Sequence, residues 1–217
     1  MRYMFIVAHP DDEVLGAGAF IHKLVKNGEE VSVVILNADY EKTRKEMFND
    51  IEKSHNALGV KDRALFSYKN MSFYNENHRE MVESLEAEIK RFEPDYIFTH
   101  SDKDLHSDHA ITSMVTQQAA RLWQRHSSGH KIKALYFMEI LSSTNWSSYG
   151  FKPDTYVEVS EEDIEAKINA LKAYQNVVRD APHPRSVECV KAHSVLRGSD
   201  IGYIHSEAFK TCWRDCI

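Results

Sequence analysis

The chain lacks the features that mark membrane-spanning and disulfide-stabilised proteins. No apolar run approaches the ~18 residues of a transmembrane helix, and the opening segment 1–7 is far shorter than a signal peptide. Only three cysteines are present, Cys189, Cys212 and Cys216, and an odd count near one end does not favour a disulfide framework. We therefore expect no membrane span and a reducing, cytoplasmic location.

The sequence also has no excess of positive charge, no low-complexity tract and no internal repeat. Its formal net charge of −6 argues against bulk affinity for nucleic acid. With 217 residues, 42% hydrophobic and 28% charged, it suits a single domain over 1–217 with a sizeable core. Oligomeric state leaves no signal in the sequence.

Strand-like and helix-like segments alternate along the chain. The patterns predict parallel strands at 2–8, 31–37, 64–67 and 95–99, and later strands at 133–140 and 154–159. They predict helices near 13–27, 42–58, 78–92, 109–126, 161–178 and 186–196. We therefore expect an α/β fold.

A short acidic string follows the first predicted strand. Ala8-His9-Pro10-Asp11-Asp12-Glu13 lies between an apolar run and a helical stretch that opens with Gly16-Ala17-Gly18-Ala19. The turn between a buried parallel strand and a helix lies at the crevice where open α/β sheets bind their ligands. The small residues would let the helix approach the sheet closely.

A second string, His106-Ser107-Asp108-His109, occupies the corresponding place after the strand at 95–99. The carboxyl ends of parallel strands meet at one edge of a sheet, so the two strings are expected to converge. Histidine nitrogens and carboxylate oxygens suit Zn²⁺, and three protein ligands leave one position for water or substrate. Together the strings predict a catalytic metal site.

Each string also has a simpler interpretation. Asp11, Asp12 and Glu13 could cap a helix and complement its dipole, contributing about 0.3–1 kcal/mol each. The two histidines of the second string could belong to a solvated helix start. The occurrence of both strings after apolar strands favours the metal site.

These motifs resemble those of the LmbE-like, PIG-L type zinc-dependent N-deacetylases. The similarity extends through the segments 28–34, 43–46, 58–60 and 203–209 and so covers nearly the whole chain. The resemblance implies a Rossmann-like, three-layer α/β/α fold with a mostly parallel sheet. It also implies removal of an acetyl group from an N-acetylglucosamine-type sugar or its conjugate.

Carried over to this chain, the resemblance makes His9, Asp12 and His109 the metal ligands and Asp11 the general base. The ion is expected to be Zn²⁺, although such ligands also accept Fe²⁺, Co²⁺ or Ni²⁺. His106 is a candidate for stabilising the oxyanion, best placed if it is cationic. Asp108 could orient His106 or a metal-bound histidine. Either Asp11 or His106 could act as the general acid.

The resemblance also points to substrate contacts. Arg44 matches an arginine that the family places near its sugar, and an exposed helix arginine is the alternative. His205 and Glu207 lie in the late motif, where His205 could contact substrate or be a polar loop residue. Asp39 could bind a sugar hydroxyl or form an Asx-turn. The segment 142–153, with Trp146, could face the substrate or be a plain surface loop.

The remaining histidines have no partner at ligand spacing, apart from His100, which ends a strand just before the second string and could lie behind the metal ligands. The others are expected to be surface or half-buried side chains: His22, His55, His78, His126, His130, His183 and His193.

The sequence thus predicts a metal-dependent amidohydrolase whose substrate is a small-molecule amino sugar. Two alternatives stay open at this point. The same residues would serve hydrolysis of another amide or ester, and a metal- or sugar-binding module without catalysis is a third possibility. The presence of Asp11 beside the ligands argues against a pure binding module, which has no need of a base.

Overall fold

The computed structural model describes residues 1–38, 44–126, 130–146 and 148–215, without the side chains of Arg44 and His126. The strands are β1 (Arg2–Val7), β2 (Glu30–Ile35), β3 (Asp62–Leu65), β4 (Tyr96–His100), β5 (Ala134–Met138), β6 (Thr155–Glu158) and β7 (Ser206–Arg214). The α-helices are α1 (Asp12–Lys26), α2 (Arg44–Leu58), α3 (His78–Phe92), α4 (Ser107–His126), α5 (Glu161–Ala173) and α6 (Val187–Ser199). Two short 3₁₀ helices span Phe73–Asn75 and Thr144–Trp146.

The strands form one seven-stranded sheet in the order β3-β2-β1-β4-β5-β7-β6. Strands β1 to β5 pair in parallel, whereas β7 runs antiparallel to both β5 and β6. The direction of strand addition reverses at β1. Strands β2 and β3 are added on one side of β1, and β4 then pairs with β1 on its opposite side. Open α/β sheets bind ligands at this switch point.

Alternate residues of β1 supply two separate cores. Phe5 and Val7 belong to a cluster with residues of α1, α2 and α5, whereas Met4 and Ile6 belong to a cluster with residues of α3 and α4. The helices therefore cover both faces of the sheet. The expected three-layer α/β/α fold with a mostly parallel sheet is confirmed.

Local sequence explains where two of the helices begin. The Ser160 side chain accepts the N–H of Asp163, whose carboxylate in turn accepts the N–H of Ser160, a reciprocal cap at the start of α5. Ser186 caps α6 in the simpler way, by accepting the N–H of Cys189.

Helix α1 packs tightly on the sheet and is broken near its middle. A Cβ atom at Gly16 would lie 3.0 Å from Cδ1 of Ile140, so glycine permits the close approach that the sequence predicts. Ala17 departs from helical geometry, with φ −151° and ψ 18°. The first turns of α1, which carry the acidic string, are thereby set apart from the rest of the helix.

The boundaries differ from the predictions in the last third of the chain. β7 was not predicted, and the helix expected at 161–178 ends at Ala173. Tyr174 has extended backbone angles, φ −81° and ψ 123°. Among the described helices, none is both long and apolar enough to cross a membrane.

Candidate active site

The two sequence strings meet at the carboxyl ends of β1 and β4. These strands are neighbours, with Ile6 opposite Thr99 in the register. The first string follows β1 and opens α1, and the second spans the start of α4, which follows β4. The convergence expected from the sequence is therefore present.

The expected ligand atom of Asp12 lies at metal-site spacing from each of the two expected histidine ligands. Asp12 Oδ2 is 3.3 Å from His9 Nδ1 and 3.3 Å from His109 Nε2. Atoms placed 2.0–2.1 Å from a shared tetrahedral centre are about 3.3 Å apart, the spacing expected of three ligands of one Zn²⁺. The donor types and these two distances thus fit the metal that the resemblance implies.

Two groupings of described side chains are compact enough to hold an ion, and the expected ligands His9, Asp12 and His109 are divided between them. They are His9 with His106 and His109, and Asp12 with His100 and His109. His100 Nε2 already accepts the N–H of Ala8 at 2.8 Å, so its lone pair is not free for a metal. Its ring instead stacks on His109, with centroids 4.0 Å apart. His100 supports the site from behind, as the sequence suggested it could.

A carboxylate lies behind each of the two candidate histidine ligands. Asp108 Oδ2 is 3.2 Å from His9 Nε2, and Asp104 Oδ2 is 3.3 Å from His109 Nδ1. Such carboxylates fix the tautomer and the orientation of metal-binding histidines. The Asp108 carboxylate is therefore placed to orient His9, one of the roles that the sequence left open. Asp104 was not predicted, although it lies in the loop that leads into the second string.

The charges of these carboxylates control protonation at the site. Burial lowers the pKa of His9, but its hydrogen bonds to Asp108 and Asp12 outweigh this and raise it to about 9. For His109, burial is likewise outweighed by Asp12 and Asp104, and the pKa rises to about 10. Burial would raise the pKa of Asp104, yet the hydrogen bond and charge of His109 bring it to about 2. A metal ion must therefore displace protons from both histidines when it binds.

Asp11 has a backbone conformation that few residues other than glycine adopt. Its φ is 101°, and its N–H donates to Glu13 Oε2 at 3.1 Å. Glu13 is fully buried and also accepts the Tyr174 hydroxyl at 2.7 Å, with His55 Nε2 3.3 Å away. This buried network holds a conformation that costs about 1–3 kcal/mol by itself. His55, expected at or near the surface, is instead fully buried within it.

Arg185 reaches the Asp11 carboxylate from the segment between α5 and α6. Its Nη1 donates to Asp11 Oδ2 at 3.1 Å and its Nε donates to Ser142 Oγ at 3.2 Å. Burial and the charge of Asp12 raise the pKa of Asp11 well above its usual range, and Arg185 opposes them. Arg185 was missed by the sequence analysis because nothing in its local sequence indicates this long-range contact.

The geometry favours a neutral His106, whereas the expectation from the sequence was that a cationic ring would be best placed for the oxyanion. Its Nδ1 accepts the backbone N–H of Asp108 at 3.2 Å, which leaves the ring proton on Nε2. Burial and the nearby His109 also lower the pKa of His106. A neutral ring with a proton on Nε2 remains a hydrogen-bond donor.

These side chains line a cavity of about 420 Å³. Its wall includes the expected ligands His9, Asp12 and His109, together with Asp11 and His106. Asn70, Ser142, Ser143 and Arg185 also face it. A larger cavity, about 640 Å³, lies between α4 and the end of β7, but none of the candidate ligands line it.

Two of the predicted substrate contacts, His205 and Glu207, are not among the residues that line this cavity. His205 Nδ1 lies 2.9 Å from Ser194 Oγ, and its Nε2 lies 2.8 Å from Glu161. Glu207 is buried against α1 and is not among the cavity-lining residues, so its expected role in substrate binding is not supported. The Arg44 side chain lies outside the described residues.

The two loop predictions have mixed outcomes. Ser142 and Ser143, at the start of the 142–153 segment, face the cavity. Trp146, the proposed sugar-stacking ring, is 74% exposed and is not among the cavity-lining residues. Asp39 lies outside the described residues.

Residues 4–120 match the protein family described as PIG-L: GlcNAc-PI de-N-acetylase. Over 178 residues the chain is 27% identical to the "Uncharacterized deacetylase YaiS" of Escherichia coli (strain K12), covering 79% of this chain and 89% of that protein.

Solved structures with very different names share the fold. N,N'-diacetylchitobiose deacetylase from Pyrococcus horikoshii has a TM-score of 0.73 and 19% identity, covering 97% of this chain and 83% of that chain. GalB, the 4-carboxy-2-hydroxymuconate hydratase from Pseudomonas putida KT2440, has a TM-score of 0.80 and 17% identity, covering 100% of this chain and 98% of that chain. At such identities the likeness concerns the fold alone.

Proposed function

Because the chain belongs to the PIG-L family of GlcNAc-PI de-N-acetylases, we propose that it is a metal-dependent hydrolase that removes the acetyl group from an N-acetylglucosamine-type sugar or its conjugate. The family resemblance inferred from the sequence is confirmed. The deacetylase names of the Escherichia coli relative and of the Pyrococcus horikoshii neighbour support an amide substrate.

The observation that carries the proposal is a base beside a three-ligand site. Asp12 Oδ2 lies 3.3 Å from both His9 Nδ1 and His109 Nε2, and the adjacent Asp11 lines the same cavity. Three ligands leave a position for water or substrate. We propose Zn²⁺ as the ion, with Fe²⁺, Co²⁺ and Ni²⁺ as alternatives that such ligands accept.

In the proposed reaction the side chains divide the proton transfers. A divalent ion at this site would lower the pKa of water and polarise the acetamido carbonyl. Asp11 accepts the proton of the attacking water at its carboxylate and can return it to the departing amine nitrogen. His106, with its proton on Nε2, donates a hydrogen bond to the oxyanion that forms at the carbonyl. Arg185 keeps the Asp11 carboxylate turned toward the cavity.

The test is acetate release from a panel of N-acetylglucosamine derivatives by the metal-loaded protein. His109→Ala is expected to lose the metal and the activity together. Asp11→Asn is expected to keep the metal and to bind substrate without turnover. Two exposed residues provide matched controls: His78→Ala and Asp102→Asn should behave as wild type.

The remaining outcomes separate the alternatives. Metal binding without acetate release from any acetamido sugar would favour hydrolysis of a different amide or ester. If the wild type binds sugar without turnover and Asp11→Asn behaves the same in every assay, a binding module would be favoured. The small-molecule substrate and the cytoplasmic location stay predictions.

A further inference from the structure

A second, smaller cavity adjoins the candidate active site. It has a volume of about 210 Å³ and shares Pro10, Met47 and Val177 with the wall of the larger one. Its other walls come from α2 and from the segment 174–177 that follows α5. A substrate that fills the first cavity can therefore extend past these three residues into the second.

The second cavity has a buried carboxylate with unused hydrogen-bonding capacity. Asp50 is only 6% exposed, and its Oδ2 accepts the backbone N–H of Gln175 at 3.2 Å. The described residues show no other hydrogen bond to the Asp50 carboxylate, which lines the cavity. No cationic side chain lines the cavity among the described residues. A carboxylate in such a place is costly unless a positive or hydrogen-bond-donating group approaches it.

A second carboxylate strengthens the negative charge of this chamber. Glu46 lies one helical turn before Asp50 on α2, and residues four apart share a helix face. Like charges at this spacing are mildly unfavourable for the helix itself. The amide side chains of Gln175 and Asn176 complete a polar lining. Two carboxylates, with no cation among the described lining residues, favour a positively charged ligand group.

We propose that this second cavity binds an ammonium group carried by the part of the substrate linked to the acetamido sugar. The proposal rests on the proposed function, because it places the scissile acetamido group in the first cavity. An ammonium can donate to the free Asp50 oxygen and meets the charge of both carboxylates. An anionic group would be repelled, and a hydroxyl would leave the two charges uncompensated.

The test uses three matched series of N-acetylglucosamine glycosides. Their aglycones are simple alkyl chains of two to four carbons, the same chains ending in a hydroxyl, and the same chains ending in an amine. We expect kcat/KM for the best amine to exceed that of the matching alkyl glycoside by about tenfold, a typical effect of one charge-assisted hydrogen bond. The hydroxyl series should fall between them.

Variants on α2 then assign the preference. Asp50→Asn should lower the ratio of kcat/KM for the amine glycoside to kcat/KM for the alkyl glycoside until it equals the hydroxyl-to-alkyl ratio. Glu46→Gln should lower the amine-to-alkyl ratio less. Glu52→Gln, an exposed change on the same helix, should leave the ratio as in wild type. Circular dichroism and urea unfolding check that Asp50→Asn folds, and Glu46→Gln serves as the test variant if it does not. An absent amine preference, or one that survives in the folded Asp50 variant, would overturn the proposal.

Calorimetric binding of the same glycosides separates this proposal from the proposed function. If no glycoside releases acetate but amines still bind more tightly in an Asp50-dependent way, the deacetylase assignment fails and the ammonium site stands. If acetate is released from all three series at equal rates and with equal affinities, the deacetylase assignment stands and the ammonium site fails.

Discussion

Lys167 and Glu207 form a buried ion pair in the break of helix α1, with 2.6 Å between Nζ and Oε1. The Glu207 carboxylate accepts the N–H groups of Ala19 and Phe20, at 3.2 and 2.7 Å. Lys167 also donates to the carbonyl of Leu15 at 2.8 Å. The pair thus satisfies backbone groups on both sides of the break, which a helix end otherwise leaves unbonded.

Glu207→Gln is expected to destabilise the fold by about 3–5 kcal/mol, because it leaves the buried Lys167 ammonium without its counter-charge. Urea unfolding measures the change. Glu165→Gln on the same helix α5 removes an exposed ion pair with Lys191 and should leave the free energy of unfolding nearly unchanged. Equal losses for the two variants would contradict the role given to Glu207.

Much of the fold could be predicted because strong local patterns coincide with it. The continuous apolar run of β2 is typical of a strand buried on both faces, and the alternation with helices predicts parallel pairing. β7 was missed because its role as an antiparallel partner of β5 depends on long-range pairing. The late motif that the resemblance associated with substrate instead begins this strand.

The site residues were predictable where one short motif holds both the ligand-type side chains and a position directly after a strand. His9, Asp12 and His109 follow two strands that proved to be neighbours, so their convergence could be expected. Asp104 and Arg185 could not, since each acts through a side chain brought close by loops. Glu207 is the reverse case, because this motif residue lies against α1 and not among the residues that line the cavity.

Asp104→Asn tests whether the carboxylate behind His109 matters for metal binding. We expect the affinity for Zn²⁺ to fall about 10–100-fold, the usual cost of losing a partner that orients a histidine ligand. Competition with a chromophoric chelator gives the affinity. Asp102→Asn in the same loop is exposed and should retain wild-type affinity. An Asp104 variant that binds the metal as tightly as this control would exclude an orienting role.

Glu139 should make the fold sensitive to acid. It is 3% exposed, with Arg197 Nη2 at 2.8 Å and His193 Nε2 at 2.9 Å. Burial would raise the pKa of Glu139, but His193 and Arg197 outweigh it and bring the pKa below its ordinary value of 4.5. A carboxyl whose pKa is lowered in the folded state stabilises the fold above the unfolded pKa, and this contribution is lost as the pH falls through the folded pKa.

Glu139→Gln is therefore expected to lower the free energy of unfolding by about 3–5 kcal/mol near neutral pH. The difference from wild type should shrink as the pH falls below 4.5. Urea unfolding across this range measures both effects, with the exposed Glu158→Gln as the control. A difference that stays constant with pH would show that the ionised form of Glu139 is not what stabilises the fold.

His106 distinguishes the two ways in which the histidines of the site could hold an ion. In the ligand set proposed here His106 is a hydrogen-bond donor, whereas in the alternative grouping with His9 and His109 it binds the metal. His106→Ala should therefore keep the metal and lower kcat about 10²–10³-fold, the usual loss for one oxyanion donor. His106→Gln should lose less, since its side-chain amide can still donate a hydrogen bond. Metal content by atomic absorption, measured beside kcat, decides between the two roles of His106. Loss of the ion in both variants would make His106 a ligand, and another group would then have to stabilise the oxyanion.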